Sequence, residues 1–313
     1  TLELLVRGAR LVADGIVALV LEHPERRELP PWRPGAHIDL VLPSGLVRQY
    51  SLCGDPDDRL RYRIAVLREQ QSRGGSREVH DTGLVGKRLR VGAVRNHFRL
   101  VDADQYLFIA GGIGITPILP MLRDVDRSGA QWTLVYGGRT RGHLAFLDEI
   151  GDLAHGSTTI LTEDREGRPD LAALFSTADP TTTVYCCGPN GMLEAAETAA
   201  AKFFVPGSLH IERFTGPDSA ATEANANTTF EVELARTGVT LTVPPDRSIL
   251  DVVLDVAPHQ LYSCEEGYCG TCETRVLDGE PDHRDSVLTA EERRGRMMIC
   301  VGRSRCPKLV LDI

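Results

Sequence analysis

The 313 residues carry 42% hydrophobic and 25% charged side chains, the balance of a soluble globular chain long enough for two or three cores. A net charge of −9 argues against a general nucleic-acid binder and suits either simple solubility or docking onto a basic partner surface. No apolar run reaches the length of a membrane span, no signal peptide opens the chain, and eight cysteines do not suggest a secreted disulfide scaffold, so a reducing cytoplasm is expected.

Residues 1–102 alternate short apolar runs, Leu2–Arg10, Ile16–Glu22, His37–Leu42, Arg61–Val66 and Arg88–Val91, with turn clusters such as Pro30–Gly35. That rhythm predicts a small antiparallel β-barrel. From Gln105 the rhythm changes. Tyr106–Ala110 is continuously apolar, as a strand buried on both faces must be. Strand candidates Gln131–Tyr136, Thr158–Leu161 and Thr182–Cys186 alternate with helical stretches Ile118–Arg127 and Gly191–Lys202. A parallel α/β sheet is predicted over 103–214. Residues 215–228 are small, polar and aperiodic and read as a linker. In the last segment, 229–313, Phe230–Arg236 and Val239–Val243 make a hairpin across Thr237-Gly238. A short helix at Ile249–Val256 and a closing strand at Lys308–Ile313 follow. The fold class is therefore multidomain. The chain begins at Thr1, which leaves processing, trimming and excision from a longer fusion open.

Cys264, Cys269 and Cys272 follow the spacing Cys-x4-Cys-x2-Cys, and 27 residues separate Cys272 from Cys300. A plant-type ferredoxin holds a 2Fe-2S cluster with this pattern, since two sulfide-bridged irons need four soft anionic donors in one small volume. Gly267 and Gly270 let the loop curl. Zinc, a disulfide pair and scattered buried thiols are the alternatives, but structural zinc sites present two separated ligand pairs. Cys53, Cys186 and Cys306 read as non-ligands. His283 raises the thought of a Rieske site, which needs two histidines, so a surface-loop role is expected.

Arg48-Gln49-Tyr50-Ser51 ends a strand, and Arg73-Gly74-Gly75-Ser76 makes a small-residue turn whose amides could meet a phosphate. Together they offer what a flavin requires: hydrogen bonds to its ring edge, an aromatic neighbour and phosphate donors. Gly111-Gly112-Ile113-Gly114-Ile115-Thr116-Pro117 directly follows the buried strand, and Cys187-Gly188-Pro189 ends another. Both should emerge at the carboxyl edge of a parallel sheet, where such folds bind dinucleotides against a helix start. Cys187 reads either as a sulfur near a nicotinamide or as a small buried residue at a strand tip.

These motifs, in this order and spanning essentially the whole chain, resemble the phthalate dioxygenase reductase family of the ferredoxin–NADP reductase superfamily, with vanillate demethylase reductases as close relatives. The resemblance implies FMN, an NAD-type nucleotide domain and a C-terminal β-grasp ferredoxin with a 2Fe-2S cluster on Cys264, Cys269, Cys272 and Cys300. It assigns Arg48, Gln49, Tyr50, Ser51, Ala65, Val66, Leu67, Arg73, Gly74, Gly75, Ser76, Thr116 and Phe214 to the flavin. Gly111, Gly112, Gly114, Cys187, Gly188 and Pro189 go to the nucleotide, with Ser51 and Cys187 closest to the chemistry. Phe214 also reads as an ordinary core aromatic. Ser72 and Arg99 depart from the family's usual Gly and Pro.

The implied activity is that of an oxygenase reductase: hydride from NADH to FMN, then single electrons through the cluster to a terminal oxygenase. NADPH is kept as the alternative donor, because Arg139, Thr140 and Arg141 follow the second nucleotide-domain strand and could meet a 2′-phosphate. Two other readings stand beside it: the reductase portion of a self-sufficient haem–thiolate monooxygenase, and a non-catalytic redox carrier or sensor.

Overall fold

The computed structural model describes residues 1–69, 74–214, 227–262 and 264–313. The chain divides into two compact units, Thr1–Arg213 and Phe214–Ile313. Arg73 and Ser72 lie outside the described residues, as does most of the expected linker.

In the first unit, β1 (Leu2–Ala13), β2 (Ile16–Glu22), β3 (His37–Val41), β4 (Val47–Ser51), β5 (Arg61–Leu67) and β6 (Arg88–Val91) form one sheet. Its strand order is β4-β3-β6-β1-β2-β5, and every pairing is antiparallel. The edge strands β4 and β5 approach each other, and the Cys53 N–H just past β4 reaches the Arg63 carbonyl on β5 at 2.8 Å. The sheet thus curls into the predicted barrel. Alternate residues such as Ile38, Leu40, Ile64 and Val66 fill its interior, as period-two strands require. Helix α1 (Gly75–Asp81) follows β5.

The second sheet of this unit contains β7 (Gln105–Gly111), β8 (Gln131–Gly138), β9 (Gly156–Thr162), β10 (Thr183–Cys187) and β11 (Leu209–Glu212) in the order β11-β10-β7-β8-β9. All its pairings are parallel. Between the strands run α2 (Ile115–Ser128), α3 (Leu147–Gly151), α4 (Leu171–Ser176) and α5 (Asn190–Phe203). Leu107, Ile109, Val184 and Cys186 pack under α4 and α5 with Leu171, Phe175 and Leu193, and α2 packs against β7, β8 and β10. Covered faces explain why β7 and β10 are continuously apolar. Helix α2 starts three residues before the predicted Ile118, because Pro117 falls in its first turn, where its missing N–H costs nothing. Pro120 sits deeper and removes the amide that would bond the Thr116 carbonyl.

Where the family carries Pro, Arg99 offers its carbonyl to the Tyr185 hydroxyl at 2.8 Å, and the same hydroxyl accepts the Val101 N–H at 2.8 Å. The Phe98 ring meets Tyr185 edge-on at 5.3 Å. The barrel exit is therefore tied to β10 by hydrogen bonds to Tyr185 that a proline at 99 is not needed to make.

The second unit contains β12 (Phe230–Leu234), β13 (Val239–Val243), α6 (Ile249–Leu254), β14 (Glu273–Asp278), β15 (Pro281–Asp282), β16 (Arg296–Met298), β17 (Arg303–Ser304) and β18 (Lys308–Leu311). Five of these strands form a sheet in the order β13-β12-β18-β14-β16, and β15 pairs with β17. Ser248 and Asp251 cap α6 reciprocally, a capping box legible as Ser-x-x-Asp. The helix ends two residues earlier than predicted, in a turn where Val256 and Ala257 both bond the Val253 carbonyl.

Candidate functional site

Arg48, Gln49, Tyr50 and Ser51 occupy β4, and the glycine turn comes to meet them. Gly74 holds φ at 95° ahead of α1, a backbone that glycine adopts without strain. A Cβ added to Gly75 would stand 2.7 Å from Cγ and Nε of Arg48, so the arginine lies across the turn. Ser76 Oγ accepts the Glu69 N–H at 3.2 Å. Tyr50 is mostly enclosed, and burial pushes its hydroxyl well above the usual phenol range. The Gln49 amide donates to Asp39 Oδ1 at 3.0 Å, and Asp39 is paired with Arg95 at 2.6 Å. Ala65 and Val66 are buried in β5, with Leu67 partly exposed, and the Val66 carbonyl bonds His80 Nε2 at 2.9 Å.

The nucleotide motifs meet backbone to backbone. A Cβ on Gly114 would collide with the Cys187 carbonyl, one on Gly111 would stand 2.6 Å from Pro189 Cδ, and one on Gly188 would stand 3.0 Å from the Gly111 Cα. Gly112 takes φ 53° at the end of β7. Gly114 has no room for a side chain and Gly111 and Gly188 have very little, which is why this turn is glycine-rich. Thr116 is buried, its hydroxyl donating to the Ile113 carbonyl at 2.9 Å.

Between the barrel and the parallel sheet lies the most chemically distinctive contact of the unit. The Ser51 hydroxyl is 3.2 Å from Glu212 Oε2. Glu212 pairs in register with Cys187 across β10 and β11. The residue keeps some solvent contact at its surface, but its carboxyl group sits amid dense protein. Lost hydration therefore pushes its pKa up to about 8, against a smaller opposing pull from Ser51. Cys187 is fully buried, and burial followed by the Glu212 charge raises its thiol well above the ordinary value. A thiol so placed stays protonated and is no nucleophile. Ser51, Cys187 and Glu212 thus form one neutral, water-poor corner at the carboxyl edge of the sheet. Glu212 is absent from the sequence-derived site.

In the second unit Cys264, Cys269, Cys272 and Cys300 are all buried. The four sulfurs bond one another, which lowers the thiols of Cys264 and Cys272 and raises those of Cys269 and Cys300. The Glu266 amide points at Cys264 Sγ from 3.3 Å and the Thr271 amide at Cys269 Sγ from 3.5 Å. Gly267 and Gly270 take φ 72° and 77°, the left-handed backbone that lets the loop curl. Among the described residues no three His, Cys, Asp or Glu side chains converge on a point suited to one metal ion. A binuclear cluster instead divides four thiolates between two irons. The chained sulfur contacts suit that division.

The oxidoreductase NAD-binding domain profile matches residues 108–198, and the 2Fe-2S iron-sulfur cluster binding domain profile matches 232–304. Phenoxybenzoate dioxygenase subunit beta of Ectopseudomonas oleovorans is 44% identical over 96% of this chain and 94% of its own length. The solved phthalate dioxygenase reductase, a modular structure for electron transfer from pyridine nucleotides to 2Fe-2S, is 36% identical with a TM-score of 0.72, covering 100% of this chain and 98% of that one. The chain belongs to the phthalate dioxygenase reductase family. An intact type IV self-sufficient cytochrome P450 monooxygenase also matches, at 39% identity and a TM-score of 0.89 over 99% of this chain. Of that longer protein the chain spans 41%.

Phthalate dioxygenase reductases use FMN, NAD(H) and a 2Fe-2S cluster, and the residues present fit all three. The Arg48-crossed turn at Gly74-Gly75 offers a cationic, small-residue cradle, the glycine turn keeps Gly112 and Gly188 half-buried at the sheet edge with no side chain in the way, and the four thiols are enclosed and mutually close. Within this reductase frame Arg139 and Arg141 are exposed after β8. Phe214 opens the second unit and is half-buried. His283 lies in a loop, as expected, but half-buried in it: its side chain is 15% exposed, and Nε2 donates to the Arg293 carbonyl at 3.1 Å. It neighbours Asp285, whose buried carboxylate accepts the amides of Val287 and Leu288 at 3.2 and 2.9 Å. The next amide, Ser286, bonds the Gly267 carbonyl of the cysteine loop at 3.0 Å.

Proposed function

We propose that this chain is the reductase component of an oxygenase system, taking hydride from NADH and delivering single electrons to a terminal oxygenase. On this reading a flavin domain (1–102), a nucleotide domain (103–214), a linker (215–228) and a plant-type ferredoxin domain (229–313) act in sequence, in the cytoplasm. The observation that carries it is the meeting of the Gly114–Cys187 turn with the Ser51–Glu212 pair, which brings the nucleotide edge and the flavin strand to one place.

When bound, FMN supplies two-electron acceptance with one-electron release, and the cluster supplies a one-electron relay. The chain's own residues supply the rest. Arg48 and Gly74–Ser76 would hold the phosphate, with Gln49, Tyr50, Ala65, Val66, Leu67 and Thr116 about the ring system. Gly111, Gly112 and Gly114 admit the nucleotide close to backbone, and Gly188 and Pro189 complete that wall. Cys187 keeps the corner uncharged and dry. A hydride carries two electrons, so onward delivery leaves a proton behind. Glu212, held protonated near neutral pH by its burial, would be the group able to lend a proton through the Ser51 hydroxyl as charge arrives and to take it back as the electrons leave. Cys264, Cys269, Cys272 and Cys300 would ligate the irons.

No helix among the described residues is long and apolar enough to cross a membrane. The test is anaerobic reduction by NADH and NADPH side by side, on protein whose released flavin has been identified. NADH should bleach FMN faster, and failure of both nucleotides to bleach any flavin sinks the proposal. A second reading, the reductase part of a self-sufficient haem–thiolate monooxygenase, is favoured by the TM-score of 0.89 to such a protein. A haem-binding segment encoded in the same gene, with NADPH preferred, would decide for it.

A further inference from the structure

Two residues beyond Ser51 the chain turns at Cys53-Gly54, and side chains from three elements close on that turn. Arg63 of β5 donates to the Cys53 carbonyl from Nε at 3.2 Å and from Nη2 at 2.6 Å. It also grips Glu149 of α3 with two prongs, Nη1 to Oε1 and Nη2 to Oε2, each 2.9 Å. Arg123 of α2 pairs with the same carboxylate and donates to the Cys53 and Gly54 carbonyls at 3.4 and 3.0 Å. The Arg63 guanidinium lies 4.8 Å over the ring of Phe146. Phe146 takes φ 63°, a left-handed conformation that a bulky residue adopts only where its surroundings enforce it.

This is not an ordinary surface ion pair. The side chains of Arg63, Arg123 and Glu149 are 23%, 18% and 34% exposed, and two-pronged, charge-assisted bonds are the directional kind. Each partner also sits on an element that carries site residues or adjoins one. Arg63 lies on β5 two residues before Ala65 and three before Val66. Arg123 lies two helical turns after Thr116 on the same face of α2. The carbonyls they share belong to the segment that continues Ser51.

We infer that Arg63, Arg123 and Glu149 are positioning residues, a clasp that sets the distance between the nucleotide-binding turn and the flavin strand. The inference rests on the proposed hydride transfer. Loss of the shared carboxylate leaves two guanidiniums repelling each other beside the turn and frees α2 to shift against β4. A misplacement of about 1 Å is enough to slow a hydride step roughly 100-fold while leaving remote binding contacts intact.

The experiment is anaerobic stopped-flow reduction of the flavin in the whole holoprotein, wild type against Glu149→Gln, across NADH concentrations. The expected result is a limiting rate lowered at least about tenfold, with a nucleotide Kd changed less than about twofold and a weakened long-wavelength charge-transfer absorbance between nicotinamide and flavin. Glu149→Asp, which keeps the charge, should recover part of the rate. A limiting rate within twofold of wild type overturns the inference, as does a loss explained wholly by weaker nucleotide binding. If Glu149→Gln sheds flavin, Arg123→Lys, which keeps charge but loses the fork of donors, is read by the same criteria. Wild-type protein that no nicotinamide nucleotide reduces would instead count against the proposed function itself.

Discussion

Ser51 and Glu212 stand 161 positions apart in the chain, yet their Oγ and Oε2 atoms lie 3.2 Å apart. One comes from the barrel's edge strand and the other from the edge strand of the parallel sheet. The pair therefore exists only when both halves of the first unit are folded and docked.

Glu212 should make that unit's stability depend on pH. Its carboxyl moves from 4.5 to about 8 in the folded chain, so the folded state holds the proton more tightly than the unfolded state does. The contribution is full below pH 4.5 and is lost as pH rises through about 8. In thermal melts between these limits, wild type should lose stability with rising pH faster than Glu212→Gln. Parallel curves for the two proteins would contradict a raised carboxyl pKa.

The glycine turn gives a contrast between two neighbouring positions. Gly114→Ala drives a methyl into the Cys187 carbonyl, and should cost about 2 kcal/mol in stability and weaken nucleotide binding at least about tenfold. Gly112 has open space around its missing Cβ and only φ 53° against it. Gly112→Ala should therefore cost about 1 kcal/mol. Denaturant melts and nucleotide titration of both variants would show the order, and a reversed order would mean that backbone angle, rather than crowding, dictates these glycines.

How much of this was legible beforehand follows from what kind of information each feature uses. The run Tyr106–Ala110 announces a doubly covered strand because burial on both faces leaves no place for a polar residue. The cysteine spacing announces its cluster because three of the four donors lie within one short loop. Glu212 could not be found that way. Nothing local distinguishes it from 43 other acidic residues, since 44 Asp and Glu are present in all. Its meaning comes from register with Cys187 and from Ser51 arriving out of another sheet. His283 sits deeper in its loop than the sequence suggests for a related reason. Its flanking Asp282, Arg284 and Asp285 look solvated in sequence, whereas Asp285 is buried.

Cys300→Ser should abolish cluster-dependent reduction of cytochrome c while ferricyanide reduction by the flavin persists, because only the former requires an electron to pass through the second unit. Cys269→Ser should behave alike. Steady-state assays with the two acceptors separate the steps, and equal loss of both activities would contradict the order of carriers.

Asp285 is expected to hold the cysteine loop from beneath. Asp285→Ala strands the buried Leu288 amide and the half-buried Val287 amide and leaves the nearby Arg293 guanidinium, 3.6 Å from the carboxylate, without its counter-charge. The substitution should cost about 3 kcal/mol. Urea unfolding followed by visible absorbance of the iron–sulfur chromophore measures it, and a change under about 0.5 kcal/mol would show the knot to be incidental.

In the second unit β18 is the middle strand of five, flanked by β12 and β14, although it is the last of them to be synthesised. A nascent chain on the ribosome therefore cannot complete that sheet until residues 308–311 have emerged. Until then the thiols sit in an unfinished scaffold, open to oxidation and to the wrong metal. Cys272 and Cys300 share their buried cluster with Leu309 and Leu311, so their enclosure is finished only once the final strand has been made.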